Sequence, residues 1–356
     1  MSKSGLRVEW IDLLRVIAIF AVVLVHATES IYGFNVEFME TISMQSKVFA
    51  ITALAAGRLG VPIFLMITGY LLLDREYDPE KIVRFWKNNW LRLLVCTEIW
   101  VAGYDLFLKF YAKQELTAIG FIQDLLFVHK VNMGHVWYMP MILGFYLLIP
   151  FVARALKGID LQMLRFPLSF FIVYSFGYPF AVLLYNVLTG GSPLQLQMSL
   201  GFSGGTYGIY LIMGYVIKRG ILKNFKSLFL TMVSIVSFLA IISLMLYSYH
   251  MGYAYNVWYN NLFIFIATVT IFELGSRIQH IYLYPIVKWF AKYSFGVYFI
   301  HYLIRLFLKS YVRKWAVLLP VKVMALFFIS NFGAFVIAYL LDRIPKIGKW
   351  ILYLKE

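Results

Sequence analysis

The first apolar run of the chain, residues 10–28, is long enough to cross a bilayer as one helix, yet it carries ionisable side chains. At helical spacing these charged groups share one stripe, and Ile, Leu, Val and Phe cover the rest of the surface: the stripe holds Asp12, Arg15, His26 and, just beyond the run, Glu29. Arg15 and His26 are eleven residues apart, which is about 16 Å along the axis. Ionisable groups at membrane depth cost about 3 kcal/mol each, so the stripe is expected to face a cavity lined by protein. The run therefore predicts a functional surface that extends through the membrane.

The composition places the chain among polytopic membrane proteins. Hydrophobic residues make up 62% of the sequence and charged residues 14%, and the mean hydropathy is +0.78. The polar stretches between apolar runs are too short for a separate soluble domain, so residues 1–356 are expected to form a single membrane domain. The single cysteine, Cys96, excludes an intrachain disulfide.

The hydropathy pattern predicts an all-α integral membrane protein with about ten transmembrane helices. The predicted spans lie near residues 10–29, 50–73, 90–110, 136–153, 167–188, 205–217, 227–248, 257–275, 290–308 and 317–341.

Lysine and arginine in the connecting segments predict the orientation. With the amino terminus in the cytoplasm, nineteen of these residues lie inside and seven lie outside, as the positive-inside rule requires. Ten spans then bring both termini to the cytoplasm. The last outer loop, which holds Lys309, Arg313 and Lys314, departs from the rule, so the rule does not determine the topology of the last two spans.

Further histidine and arginine side chains are predicted in the outer half of the membrane, at the level of His26. Arg58 lies in the second span, His135 opens the fourth span beside Trp137, and Tyr298 and His301 lie on a polar stripe of the ninth. Each also has a purely structural interpretation. The group around His135 is as typical of an interfacial aromatic belt as of a substrate contact. An isolated His301 is more often a hydrogen-bonded core histidine than a catalyst.

A basic cluster follows the second span on the predicted cytoplasmic side. Arg84, Lys87 and Arg92 alternate there with aromatic residues, and such cations bind phosphate oxygens well. Ordinary positive-inside anchoring explains the same cluster without any ligand. The six histidines show no close ligand spacing, so no metal is predicted, and no nucleophile elbow or Walker loop is present.

Taken together, these motifs resemble the membrane-bound acyltransferase family 3, multi-pass bacterial proteins that move acyl groups, usually acetyl, onto cell-surface sugars. The first span is similar to the family's pattern of Asp-x-x-Arg followed by ten residues and a histidine, here Asp12, Arg15 and His26. Similar blocks follow in order: RLGVPIFLMITGYLL at 58–72, RFWKNNWLR at 84–92, HVWYMPMILGFYLLIP at 135–150 and SFGVYFIH at 294–301.

The resemblance implies that the protein is an O-acyltransferase of the bacterial plasma membrane, with acetyl-CoA as co-substrate and a surface or lipid-linked glycan as acceptor. The nucleotide phosphates would be bound by Arg84, Lys87 and Arg92. Arg15 would line the path of the pantetheine arm, and Asp12 would orient Arg15.

The same resemblance assigns the chemistry to the outer half of the membrane. His26 would either activate the acceptor hydroxyl as a general base or carry the acyl group itself, and Arg58 would stabilise the oxyanion that forms on the thioester carbonyl. The remaining candidates would bind the acceptor or support the site; they are Glu29, His135, Trp137, Tyr298 and His301.

Two functions from other classes also fit the polar stripes. A transporter or flippase for a lipid-linked sugar would line its route with the same side chains, and an assembly subunit of a glycan-synthesis complex would use them as contacts between helices. Some family members append an extracytoplasmic domain, and none follows here before Glu356. We therefore expect the acceptor to meet the membrane core directly, or a partner protein to complete the transfer. The partners considered are a second copy of the chain, in a homo-oligomer, and a glycan-synthesis protein.

Overall fold

The computed structural model describes residues 8–128, 133–189, 205–345 and 347–354, and within these ranges all regular structure is helical. Each of the ten predicted spans coincides with one or two of these helices, as the hydropathy pattern predicts. The helices are α1 (Glu9–Ile31), α2 (Val36–Thr41), α3 (Met44–Arg58), α4 (Gly60–Leu72), α5 (Pro79–Phe85), α6 (Leu91–Tyr111), α7 (Ala118–Leu125), α8 (Tyr138–Leu156), α9 (Leu161–Ile172), α10 (Tyr178–Thr189), α11 (Gly205–Lys218), α12 (Ser227–His250), α13 (Leu262–Ser276), α14 (Tyr284–Arg313), α15 (Leu319–Asp342) and α16 (Ile347–Ile351).

Six helical stretches among the described residues are long and apolar enough to cross a membrane. They are Glu9–Ile31, Met44–Leu72, Tyr138–Leu156, Leu161–Thr189, Ser227–His250 and Leu319–Asp342, and Leu262–Ser276 is a shorter apolar helix. The number of ten spans and the cytoplasmic position of both termini stay predictions. Five of the cations used for the predicted orientation lie outside the described residues, namely Lys3, Arg7, Lys130, Lys346 and Lys355.

Helix α1 is the centre of the bundle, and it packs against α3, α4, α13, α14 and α15. Helix α14 runs parallel to it, because polar contacts join the two helices in the same order along both. The Tyr284 hydroxyl donates to Asp12 Oδ2 at 3.0 Å near the beginning, and Arg313 Nε donates to the Ser30 carbonyl at 2.7 Å near the end. Two polar stripes that are far apart in sequence are thereby brought face to face.

The second predicted span is interrupted where α3 ends and α4 begins, at Arg58 to Gly60. Pro62 has no N–H group, so it cannot donate to the carbonyl of Arg58 four residues earlier, and the regular helical ladder is lost at that point. Gly60 packs so closely on α1 that an added Cβ would lie 2.6 Å from the Ala18 carbonyl. The break and this close approach place Arg58 beside the C-terminal half of α1.

Helices α4 and α11 cross at two glycines. A Cβ added to Gly69 would overlap the backbone of Leu211, and one added to Gly214 would overlap the backbone of Met66. Small residues at such a crossing allow two backbones to touch, which is how helices gain packing contacts where lipid removes the hydrophobic driving force.

The last described residues, 347–354, fold back onto α6 and α14. The carbonyl of Ile351 accepts hydrogen bonds from Cys96 Sγ at 3.1 Å and from Trp100 Nε1 at 2.8 Å. Leu352 is fully buried against Gly296. This segment therefore belongs to the core of the bundle.

Candidate active site

His26 lies near the end of α1, where its side chain is 15% exposed and faces α14. Its ring stacks on that of His301 with the centroids 5.6 Å apart, and it meets Tyr302 edge-on at 5.4 Å. Glu29 follows one turn later, with Oε2 3.6 Å from Nδ1 of His26. A carboxylate in this position favours the tautomer protonated on Nδ1, which leaves Nε2 as the proton acceptor.

Glu29 also binds Arg58 from α3, with 2.5 Å between Oε1 and a terminal guanidinium nitrogen. The Arg58 side chain is only 4% exposed, donates from Nε to the Val257 carbonyl at 3.1 Å, and lies 4.1 Å from the centroid of the Trp258 ring. These contacts hold the guanidinium rigidly, so Arg58 positions the carboxylate that faces His26.

His135 lies just before α8, is almost completely buried, and packs against α1 and α14. Its ring stacks on Tyr302 at 4.1 Å, its Nε2 is 3.0 Å from the Tyr104 hydroxyl, and its carbonyl accepts from Tyr298 at 2.5 Å. The ring centroids of His135 and His26 are 6.3 Å apart. The structure thus brings together three histidines from three separate elements of the sequence.

Two of the buried ring nitrogens have no hydrogen-bond partner among the residues that the structure describes, namely Nδ1 of His135 and Nε2 of His301. The other nitrogen of each ring is engaged: Nδ1 of His301 lies 2.9 Å from the Val297 carbonyl, and Nε2 of His135 pairs with Tyr104. Buried polar atoms normally find a partner. Both nitrogens belong to rings that pack near His26.

A second buried arginine, Arg305, completes the charge pattern around His26. Its guanidinium lies 3.8 Å from the centroid of the Tyr302 ring, donates to Ser30 Oγ at 2.7 Å, and acts electrostatically on His26 together with Arg58. Two arginines against the single carboxylate of Glu29 give this part of the site a positive field. Such a field stabilises negative charge that develops on a reacting oxygen.

Arg305 belongs to the polar stripe of α14 that the sequence shows, one turn after His301. Tyr104, Tyr302 and Trp258 were missed by the sequence reasoning, because aromatic residues are frequent throughout the chain and have no periodicity that separates contact residues from lipid-facing ones. The signal that could have found Tyr104 is its polar neighbour Asp105 inside an apolar run.

Trp137 lies in an aromatic wall beside Arg58. Its ring is 5.3 Å from Tyr207, 5.7 Å from Tyr259 and 6.4 Å from Trp258, measured between centroids. The wall joins the segment before α8 to α11 and to the loop before α13. It has the apolar and aromatic character expected around a buried reaction centre.

Arg15 and Asp12 form a pair near the beginning of α1, with 2.9 Å between the guanidinium and Oδ1. Asp12 is completely buried and also accepts from Tyr284, whereas Arg15 is 31% exposed. Asp12 therefore holds Arg15 in place on the same stripe as His26, about three turns away.

Arg84 and Lys87 lie one turn apart, where α5 passes into the π-helical turn Trp86–Trp90, and line an open groove of about 670 Å³. Arg92 is separate from them: it donates to the Leu354 carbonyl at 2.6 Å and its guanidinium lies 5.5 Å from the centroid of the Trp350 ring. The structure thus brings two of the three predicted phosphate ligands together, while the third contacts the last described segment.

The groove and His26 lie toward opposite ends of the bundle. Helix α4 runs antiparallel to α1, because Gly60 packs on Ala18 and Tyr70 packs on Trp10 with 4.9 Å between the ring centroids. The chain enters α5 after α4, beside the beginning of α1. Sixteen residues separate Trp10 from His26, which is about 24 Å along the helix.

Residues 8–343 match the family model of the acyltransferase domain of acyltransferase family 3. The matched range includes every candidate residue described above, from Asp12 to Arg305. No curated protein and no solved structure matches the chain. Because the family match covers nearly the whole sequence, this multi-pass membrane chain belongs to acyltransferase family 3.

Proposed function

We propose that the protein transfers an acyl group, most simply acetyl, from cytoplasmic acyl-CoA to a hydroxyl group of a cell-surface or lipid-linked glycan at the bacterial plasma membrane. The observation that carries this proposal is the position of His26 beside Glu29, a carboxylate that is itself bound to the buried Arg58, with the buried Arg305 acting electrostatically on the same ring. The family supports acyl transfer, and the arrangement supplies a base and a positive field for that reaction.

In the proposed step, Nε2 of His26 takes the proton of the acceptor hydroxyl while the hydroxyl oxygen attacks the thioester carbonyl. The C–O bond forms, and the carbonyl oxygen becomes an oxyanion in the field of Arg58 and Arg305. The oxyanion then collapses, the C–S bond breaks, and the imidazolium returns its proton to the leaving CoA sulfur. The products are an ester and free CoA, and His26 is regenerated.

Glu29 orients His26 throughout this step and offsets the positive charge that His26 gains. The other role open to His26, as an acyl carrier, would place a covalent acyl-imidazole between donor and acceptor. Trapping with radiolabelled acetyl-CoA in the absence of acceptor separates the two roles, because only the carrier mechanism leaves label on the protein.

The donor is proposed to enter from the opposite end of the bundle. Arg84 and Lys87 would bind the CoA phosphates in their open groove, and Arg15 would line the path of the acyl-bearing arm. Because the groove and His26 lie at opposite ends of the bundle, an acyl group that moves from the groove to His26 would cross most of the membrane thickness.

Substitution of His26 tests the proposal. His26→Gln and His26→Asn should fold and bind acetyl-CoA, and they should lose acyl transfer by at least about 10²-fold, because an amide accepts no proton near neutral pH. Transfer is followed as acylation of surface glycan in cells and as CoA release by purified protein. His250→Gln is the matched control, because His250 is exposed at the end of α12.

Near-normal acylation by either well-expressed His26 variant would refute the assignment, since a structural hydrogen bond of about 1 kcal/mol is all that an amide could replace. The transport alternative predicts a different result for the unaltered protein. A flippase needs no thioester, so it would move a lipid-linked sugar without releasing free CoA.

A further inference from the structure

A second cleft, of about 220 Å³, lies between α10 and the loop that joins α12 to α13. Its polar and aromatic lining comes from Phe180, Asn186, Tyr253, Tyr255, Asn260 and Asn261. At about 30 Å³ for each water, this volume holds about seven waters, which is the scale of a single sugar ring.

None of the described residues that line this cleft is charged. The lining therefore does not suit phosphate, carboxylate or ammonium groups, which require a counter-charge. It combines amides and phenols, which donate and accept hydrogen bonds, with apolar surface from Pro179 and Phe180. An uncharged sugar has the same two features, namely hydroxyl groups around its edge and C–H groups on its faces.

Asn261 fixes the geometry of the lining. Its Oδ1 accepts from the backbone N–H groups of Phe263 and Ile264 at the start of α13, and its Nδ2 donates to the Tyr255 hydroxyl at 2.7 Å. Because the Tyr255 oxygen accepts from Asn261, its own O–H remains available as a donor to a ligand.

The same loop forms part of the proposed active site. Two residues before Asn260, Trp258 packs on Arg58, and the neighbouring Val257 carbonyl binds that arginine. Two residues span at most about 7 Å, so the cleft lies beside the aromatic wall around Arg58. The loop also contacts the segment that follows α1, through Asn256 Nδ2 and the Phe34 carbonyl at 3.1 Å. The cleft therefore lies at the same end of the bundle as His26.

We infer that this cleft is a subsite for an uncharged sugar residue of the acceptor, next to the sugar that is acylated. That the bound sugar belongs to the acceptor rests on the proposed function. Binding of a sugar to the cleft can be measured without any acyl transfer.

The test is calorimetric titration of the purified full chain in nanodiscs with maltotriose, cellotriose and chitotriose, and with trigalacturonate as a charged comparison. We expect at least one neutral trisaccharide to bind in the absence of acyl-CoA, and more tightly than trigalacturonate. Asn260→Ala and Tyr255→Phe should each weaken this binding by about tenfold, which corresponds to one lost hydrogen bond. Asn224→Ala, an exposed site in the loop between α11 and α12, should leave it unchanged.

Failure of all three neutral sugars to bind would overturn the inference, as would unchanged binding in both cleft variants. The same titration on His26→Gln separates this inference from the proposed function. A sugar that binds His26→Gln normally supports the subsite. If the sugars bind but none of them causes the unaltered protein to release CoA from acetyl-CoA, the proposed acyl transfer is refuted and the subsite is not.

Discussion

Replacing Glu29 by Gln removes one negative charge and keeps the size of the side chain. The carboxylate lies 3.6 Å from Nδ1 of His26 and 2.5 Å from Arg58, so it links the proposed base to a buried cation. An amide still accepts a hydrogen bond from Arg58, but it neither neutralises the guanidinium nor favours one tautomer of His26. We therefore expect a small loss of stability and a large loss of turnover.

The loss of stability follows from the exposure of the pair. Breaking a fully buried ion pair costs about 3–5 kcal/mol, and an exposed pair contributes less than about 1 kcal/mol. The Arg58 side chain is 4% exposed and that of Glu29 is 34% exposed, so the pair lies between these limits, and the retained hydrogen bond lowers the cost to about 1–2 kcal/mol. A thermal melt in detergent should show a transition only a few degrees lower.

The loss of turnover follows from the orientation of His26. In the Ser-His-Asp triad the corresponding change from carboxylate to amide lowers kcat by about 10⁴. The contact here, at 3.6 Å, is longer than a hydrogen bond, so we expect about 10², or about 2.7 kcal/mol in the activation free energy. Acetyl-CoA affinity should stay unchanged, because Glu29 lies far from the basic groove.

The assay measures CoA release with a thiol reagent at saturating donor, beside a donor-binding titration and a melt. Glu37→Gln, an exposed site on α2, is the matched control for the loss of a carboxylate. Turnover of the Glu29 variant within about threefold of the unaltered protein would refute the role of Glu29 and weaken the case for a base at His26. A proportional fall in donor affinity would assign Glu29 to binding instead.

Three further variants test other parts of the structure. Arg58→Lys should lower kcat while acetyl-CoA binding is retained, because an ammonium cannot reproduce the planar contacts to Glu29 and the Trp258 ring; equal losses would indicate a structural role. Joint replacement of Arg84 and Lys87 by Ala should weaken CoA binding and flatten its dependence on salt, whereas unchanged affinity would remove the groove from the donor site. Gly214→Val should lower stability by about 1–3 kcal/mol in a melt, because its side chain would overlap the backbone of α4; an unshifted melt would contradict that packing.

The sequence alone determined the helical class, the positions of the ten apolar segments and the family. Hydropathy and periodicity are properties of neighbouring residues, so they appear directly in the order of the chain, and the stripe of Asp12, Arg15, His26 and Glu29 is visible because a single helix carries all four. The family motifs are local in the same sense. Each is a short block within one or two helices.

Tertiary structure decided which of these blocks meet. The association of Glu29 with Arg58, of His135 with Tyr104 and Tyr302, and of Arg92 with the last described segment joins residues dozens to hundreds of positions apart. Helix–helix packing in a membrane depends on small residues and on individual polar contacts, and hydropathy does not encode which helices pair. For this reason the sequence did not show that Arg92 lies apart from Arg84 and Lys87. The residues of the cleft beside the α12–α13 loop share no motif, so the cleft is seen only in the structure, where α10 lies against that loop.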